Sequence, residues 1–295
     1  MDFLSLLNEK EILLFDGAMG TELMNRGLKP GDVPDKWNID RPDVIEEIFG
    51  QYYNAGSDLV QTATFRANGV ALEKYDIQNL LEDINKSSGE ILRSVCPPNK
   101  CVIGDIGPSG EFLPPVGKVS ISDLKQGFQM QARSLAPFID AWHIETFSDI
   151  QEMKAAILAV QIESNKPIIA SMTYKKTPKG YFTIMGNSIT DCVSELIDSR
   201  VAVIGSNCTL SSNDFIELVQ VMRAVAPKFP LSIKPNAGTP QLENGKSVYK
   251  QTPEDFAKDI EQILEHDGQI VGGCCGTGPN HIQLLRDIID KITGG

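Results

Sequence analysis

The sequence predicts an α/β fold, a single-domain (β/α)8 TIM barrel over residues 1–295, on three observations. Eight short apolar runs alternate with helical patterns at spacings of roughly 30 to 50 residues, the signature of parallel strands joined by helical crossovers. The residues least at home in an apolar strand, Asp16, Thr62, Thr64, Asp105, Glu145, Asn207, Cys208, Asn236, Cys274 and Cys275, all fall at or just past the carboxyl ends of those runs. In a barrel these ends form one face, the face that carries active sites. The length, 295 residues with 41% hydrophobic and 22% charged, suits one large core.

The elements follow in order. Glu11 to Phe15 is an apolar run ending in Asp16-Gly17-Ala18-Met19-Gly20-Thr21-Glu22, which reads as strand, turn and helix. Residues 27–41 carry Gly, Pro and Asp without periodicity and predict a loop. Pro42 opens a helix with Val44, Ile45, Ile48, Phe49 and Tyr52 on one stripe, closed by Gly56. The second strand spans 58–62, a helical stretch covers about 70–94, and the third strand, Cys101 to Asp105, empties into Ile106-Gly107-Pro108-Ser109-Gly110.

A helix over 122–139 precedes the strand 141–144, which ends on Glu145-Thr146-Phe147. The helix 149–163 leads to the strand 167–172, and a polar loop at 174–187 to a helix ending near Ser199. Then come the strand 201–205 before Asn207-Cys208, and the strand 230–234 before Pro235-Asn236-Ala237-Gly238. Thr252-Pro253-Glu254-Asp255 announces another helix through an N-cap and a proline at the first helical position. The eighth strand, 268–271, runs into Gly272-Gly273-Cys274-Cys275-Gly276-Thr277-Gly278, and Pro279 opens the last helix.

Composition excludes several function classes. A formal net charge of -12, with no long Lys/Arg run, speaks against a nucleic-acid partner. No apolar stretch approaches the ~20 residues of a membrane span, and residues 1–9 lack the pattern of a signal peptide. A cytoplasmic enzyme is therefore expected, with six reduced cysteines. Two glycine patterns are decoys. Gly245-Lys246-Ser247 has no preceding strand and Pro240 where a phosphate loop needs glycine, and Gly104, Gly107 and Gly110 have the wrong spacing for a dinucleotide fingerprint.

Adjacent cysteines bridge to each other only with strain, but both can face one metal ion. With Cys208 as a third thiolate, the expected centre is zinc with three protein ligands and one open position, the pattern of a working site. Three thiolates leave such a centre at net charge -1, poor for making hydroxide and suited to holding a substrate thiol as a nucleophile. Glu145 and Asp16 are carboxylates able to pair with an ammonium, and the backbone of the turn at Gly17 and Ala18 is able to hold a carboxylate. A thiol amino acid is the substrate such handles describe. Cys96, Cys101 and Cys192 read as ordinary core residues, His143 as a satisfied core histidine, His281 as surface polarity, and Thr64 and Asp105 as architecture.

Asp16 to Glu22, Gly104 to Gly110, Glu145-Thr146-Phe147, Asn207-Cys208, Pro235 to Gly238 and Gly272 to Thr277 recur in that order over nearly the whole length. In this the chain resembles the homocysteine-binding domain of homocysteine S-methyltransferases, with motif spellings closest to the cobalamin-dependent methionine synthase branch. The resemblance implies that zinc held by Cys208, Cys274 and Cys275 activates homocysteine. It implies too that Asp16, Gly17, Ala18 and Glu145 bind its amino-acid end, and that Asn236 holds the open metal position before substrate arrives. The implied donor is methylcobalamin or a related methylcorrinoid carried by a separate protein or module, giving methionine. The alternatives are an S-methylmethionine or betaine donor, and a non-catalytic thiol- and zinc-binding subunit of a corrinoid system. One departure concerns the second strand, which reads Gln61-Thr62-Ala63-Thr64-Phe65 where relatives commonly carry asparagine in place of Ala63.

Overall fold

The structure, a computed structural model, describes residues 2–243 and 246–294, so Gly245 of the phosphate-loop decoy lies outside the described residues. Eight parallel strands form the barrel: β1 Leu13–Leu14, β2 Leu59–Gln61, β3 Cys101–Ile106, β4 Ala141–Phe147, β5 Ile168–Met172, β6 Val203–Ser211, β7 Leu231–Asn236 and β8 Ile270–Val271. They pair in the order β1-β8-β7-β6-β5-β4-β3-β2, and a parallel bridge between Phe15 and Leu59 joins the two ends. The predicted (β/α)8 TIM barrel is the fold found.

Strand side chains alternate faces, so every second residue points inward. The inward set is Leu59 and Gln61 on β2, Cys101, Ile103 and Asp105 on β3, Ala141, His143 and Glu145 on β4, Ile169 and Ser171 on β5, and Ser232 and Lys234 on β7. Their lower members build an apolar layer with Leu13, Phe15, Val203 and Ile270, while the upper members are polar. The barrel thus changes from oil to charge along its own axis.

The outward-facing residues pack against amphipathic helices. Pro42–Asn54 buries Val44, Ile45, Ile48, Phe49, Tyr52 and Tyr53, each large side chain contributing about 2 kcal/mol of transfer free energy. Three helices start in reciprocal capping boxes, Ser120 with Asp123, Ser188 with Asp191 and Ser211 with Asp214, and Asp149 caps the helix Ile150–Glu163.

Three expectations need correction, and two elements were not foreseen. Residues 27–41 are not plain loop: Pro34–Lys36 is a 3-10 turn and Trp37–Asp40 a helical turn, because Asn38 is buried and donates to the carbonyls of Asp35 and Ala63. The stretch 70–94 breaks into Gly69–Glu73 and Leu81–Val95 at Asp76, which takes φ 56°. The polar loop at 174–187 contains a two-stranded hairpin, Lys175–Thr177 with Gly180–Phe182, and a second hairpin pairs Gln241–Glu243 with Lys246–Val248. A short helix, Phe3–Glu9, plugs the barrel bottom with Phe3 and Leu6, a role the polar sequence around them conceals. No helix among the described residues is long and apolar enough to cross a membrane.

Candidate metal and thiol site

At the carboxyl end of the barrel, Cys208, Cys274 and Cys275 converge, their Sγ atoms all within 4.8 Å of one another. Two backbone features bring them there. Past Val271, β8 gives way to a turn in which Gly276 takes φ 84° and Thr277 Oγ1 donates to the Cys274 carbonyl at 2.7 Å. On the other side, β6 bends: Cys208 and Thr209 take φ 60° and 56°, and the register with β7 slips between Asn207 and Ser211. Left-handed backbone at non-glycine residues costs of order 1 kcal/mol each and marks functional positions.

The donor set fits a tetrahedral thiophilic metal. Zinc to sulfur distances of ~2.3 Å place tetrahedral ligand sulfurs ~3.8 Å apart. Cys208 Sγ and Cys275 Sγ lie 3.9 Å apart. Asn236, 2% exposed, has an Oδ1 without a hydrogen-bond partner, and its neighbours hold the cysteine turn, Ala237 N–H donating to the Cys275 carbonyl and Cys274 N–H to that of Pro235. Such an orphaned acceptor fits an oxygen ligand. Hydrogen bonds from Cys208 and Cys274 pull Cys275 down to about 3, while hydrogen bonds with Cys208 and Cys275 push Cys274 up. Tyr249, after the second hairpin, packs its ring on Gly276 and lies beside Cys275.

The sulfurs open into a cavity of about 440 Å³ that Gly17, Ala18, Gln61, Ala63, Asp105, Glu145, Lys234 and Tyr249 also line. At position 17 a side chain has no room, because a Cβ there would stand 2.8 Å from Thr277 Oγ1 and 3.0 Å from the Tyr52 ring. Ala18 is fixed on both sides, its N–H donating to Thr277 Oγ1 at 3.2 Å and its carbonyl accepting from the Tyr52 hydroxyl at 3.0 Å. Glu145 accepts from Gln61 Nε2 at 2.7 Å and from Asn207 Nδ2 at 2.5 Å. Burial and the charge of Glu145 push the neighbouring carboxyl of Asp105 well above the carboxylate range.

Of the residues singled out in the sequence, Gly17, Ala18, Glu145 and the three cysteines meet at one cavity, while Asp16 and Asn236 lie just beneath its walls. Asp16 is occupied from within, accepting from Lys234 Nζ at 2.7 Å and from Gln61 N–H at 2.8 Å. His143 is satisfied between Gln61 and Ser171, as a core histidine should be. Thr64 is architectural, donating to the Asp105 carbonyl, whereas Asp105 itself faces the cavity. His281 is not surface polarity: its Nδ1 accepts from Gly278 N–H at 3.2 Å and so caps the last helix. Gln61, Lys234 and Tyr249 went unmarked in the sequence. Counting by twos inward from Ser232 would have flagged Lys234.

The family described as Homocysteine S-methyltransferase matches residues 13–289. Methionine synthase of Mycobacterium leprae (strain TN) is 30% identical over 100% of this chain and 26% of its own length, and that of Mycobacterium tuberculosis (strain ATCC 25618 / H37Rv) is 30% identical over 99% and 26%. The chain therefore spans about a quarter of the length of these relatives. Among solved structures, the metallated form of the homocysteine methyltransferase MmuM from Escherichia coli superposes with a TM-score of 0.80 at 22% identity, over 96% of this chain and 98% of that one, a likeness of fold. The chain belongs to the homocysteine S-methyltransferase family.

Proposed function

We propose that the protein is a zinc-dependent homocysteine methyltransferase that takes its methyl group from a methylcorrinoid carried on a separate protein or chain segment and yields methionine. One observation carries the reading: three sulfurs within 4.8 Å of one another open into the same cavity as Gly17, Ala18 and Glu145. Cys208, Cys274 and Cys275 are the ligands, with Asn236 guarding the fourth position. Zinc held there supplies a positive centre that favours the deprotonated form of an incoming thiol.

The chain's own residues do the rest. Glu145, held by Gln61 and Asn207, receives the substrate ammonium. Gly17 and Ala18 wall in the carboxylate end, the Ala18 N–H being held by Thr277 Oγ1, and Asp16 supports that wall from beneath. Fixing both ends points the thiol at the cysteine corner, so that the reacting sulfur arrives oriented. The floor is nearly dry, with Glu145 5% and Asp105 2% exposed, which strengthens each of these contacts. The motif spellings shared with the cobalamin-dependent methionine synthases support the corrinoid donor.

The test is a metal assay of the purified chain and its Cys208→Ala variant, paired with proton release on adding homocysteine and methionine formation from free methylcobalamin. One zinc per chain, lost in the variant, with proton release and turnover only in the parent, supports the proposal. Zinc binding without any transfer would reduce the protein to a thiol-presenting subunit, and absence of zinc from the parent would overturn the reading.

A further inference from the structure

The polar floor of the barrel has a direction, and the chemistry of its members fixes it. A lysine ammonium only donates hydrogen bonds. Lys234 Nζ reaches Asp16 Oδ1 at 2.7 Å and Gln61 Oε1 at 3.1 Å, and lies 3.8 Å from the centre of the Phe15 ring. Two acceptors and an aromatic face satisfy it inside the protein. Because Gln61 must turn its oxygen to Lys234, its Nε2 is the atom that faces Glu145 Oε1 at 2.7 Å.

The same oxygen stands 3.0 Å from His143 Nδ1, so that nitrogen carries the hydrogen, and His143 Nε2 accepts from Ser171 Oγ at 2.8 Å. Asn207 is fixed independently, since the Thr146 N–H at 2.9 Å requires its Oδ1 and leaves Nδ2 for Glu145 Oε2 at 2.5 Å. Both oxygens of Glu145 therefore face donors, and the group is obliged to be an acceptor. Asp16 already carries the Lys234 ammonium and does not line the cavity, whereas Glu145 lines it.

We infer that Lys234 sets the acceptor specificity of the pocket: by pairing with Asp16 and turning Gln61, it leaves Glu145 as the carboxylate that selects a thiol bearing an amino group. Lys234 is thus a positioning residue that touches no reacting atom. The inference rests on the proposed function, since it names what the same pocket selects.

Lys234→Met alone strands a buried carboxylate, so the informative variant is the neutral pair Asp16→Asn/Lys234→Met. Calorimetry on the zinc-loaded protein would compare homocysteine with 4-sulfanylbutanoate, the same thiol acid without its amino group. NMR of 15N-histidine protein reads the His143 tautomer, one of three histidines in the chain. We expect the parent to prefer homocysteine by roughly 10- to 100-fold, the worth of a charge-assisted hydrogen bond, and to carry the His143 hydrogen on Nδ1. In the variant the preference falls at least tenfold and the tautomer shifts toward Nε2. A variant that keeps both the preference and the tautomer overturns the inference alone. A parent that binds neither thiol overturns the functional reading and the inference with it.

Discussion

Gly17 and Thr277 lie at opposite ends of the chain, yet a single methyl group would separate them: a Cβ on Gly17 would stand 2.8 Å from Thr277 Oγ1. That hydroxyl already links the two ends, accepting from Ala18 N–H and donating to the Cys274 carbonyl. Gly17→Ala should therefore push the first turn away from the cysteine turn and cost about 1–3 kcal/mol. Denaturant unfolding would show the lost stability, and homocysteine affinity should fall about tenfold or more with zinc content kept.

Asn207 is fully buried and ties Glu145 to the Thr146 backbone next to the sulfurs. Asn207→Ala leaves the Thr146 N–H unpaired and frees Glu145 to turn, at a cost of about 1–3 kcal/mol. The expected kinetic signature is a rise in KM for homocysteine with a smaller fall in kcat.

In the metal-free protein the three thiols are unequal, Cys275 being held at about 3 by hydrogen bonds from Cys208 and Cys274 while Cys274 is pushed up. Brief iodoacetamide treatment at pH 6 should label Cys275 ahead of the other two, as read by peptide mass spectrometry, and zinc should protect it. Equal labelling of all three would show that no such proton sharing exists.

Asp35 lines the same cavity and burial raises its carboxyl to about 6. The folded state holds this proton to higher pH than the unfolded chain does, so the contribution of Asp35 to stability is present below about pH 4 and lost as pH rises to about 6. Asp35→Asn keeps an acceptor for the Arg66 N–H that now meets Oδ1 at 2.8 Å. Stability of the variant relative to the parent should grow between pH 4 and pH 6, by up to about 3 kcal/mol for two pKa units.

Leu242, on the second hairpin, is 79% exposed on the same face as the cavity mouth, beside a segment whose Ser247 and Tyr249 line the cavity. A protein-borne donor that docks at this mouth would meet the Leu242 side chain. Leu242→Asp should slow transfer from a protein-bound methylcorrinoid about tenfold and leave transfer from free methylcobalamin within about twofold.

The barrel was legible because each strand is an apolar run bounded by glycine, proline or a polar residue, and because Asp105, Glu145, Cys208 and Cys274 all sit where such runs stop. The cysteine corner was legible because two adjacent thiols have few other uses. What escaped notice follows from context. The hairpins that pair 175–177 with 180–182 and 241–243 with 246–248 are short and mostly polar, so no apolar alternation betrays them. Lys234 escaped because lysine is ordinarily solvated, and only its inward register on β7 shows that it is buried. The sequence also cannot show that an internal ammonium, that of Lys234, sits on Asp16.

The bend at Cys208 has one more consequence. The sulfurs hang from strands and turns whose hydrogen bonds the chain makes by itself, with Cys208 in a left-handed conformation and the Cys274 turn latched by Thr277. Such a scaffold should stand after its ion is stripped by a chelator and take it back without relearning its shape, unlike small zinc modules that collapse when emptied. Loss of the proposed ion is then expected to change occupancy and to leave the barrel standing.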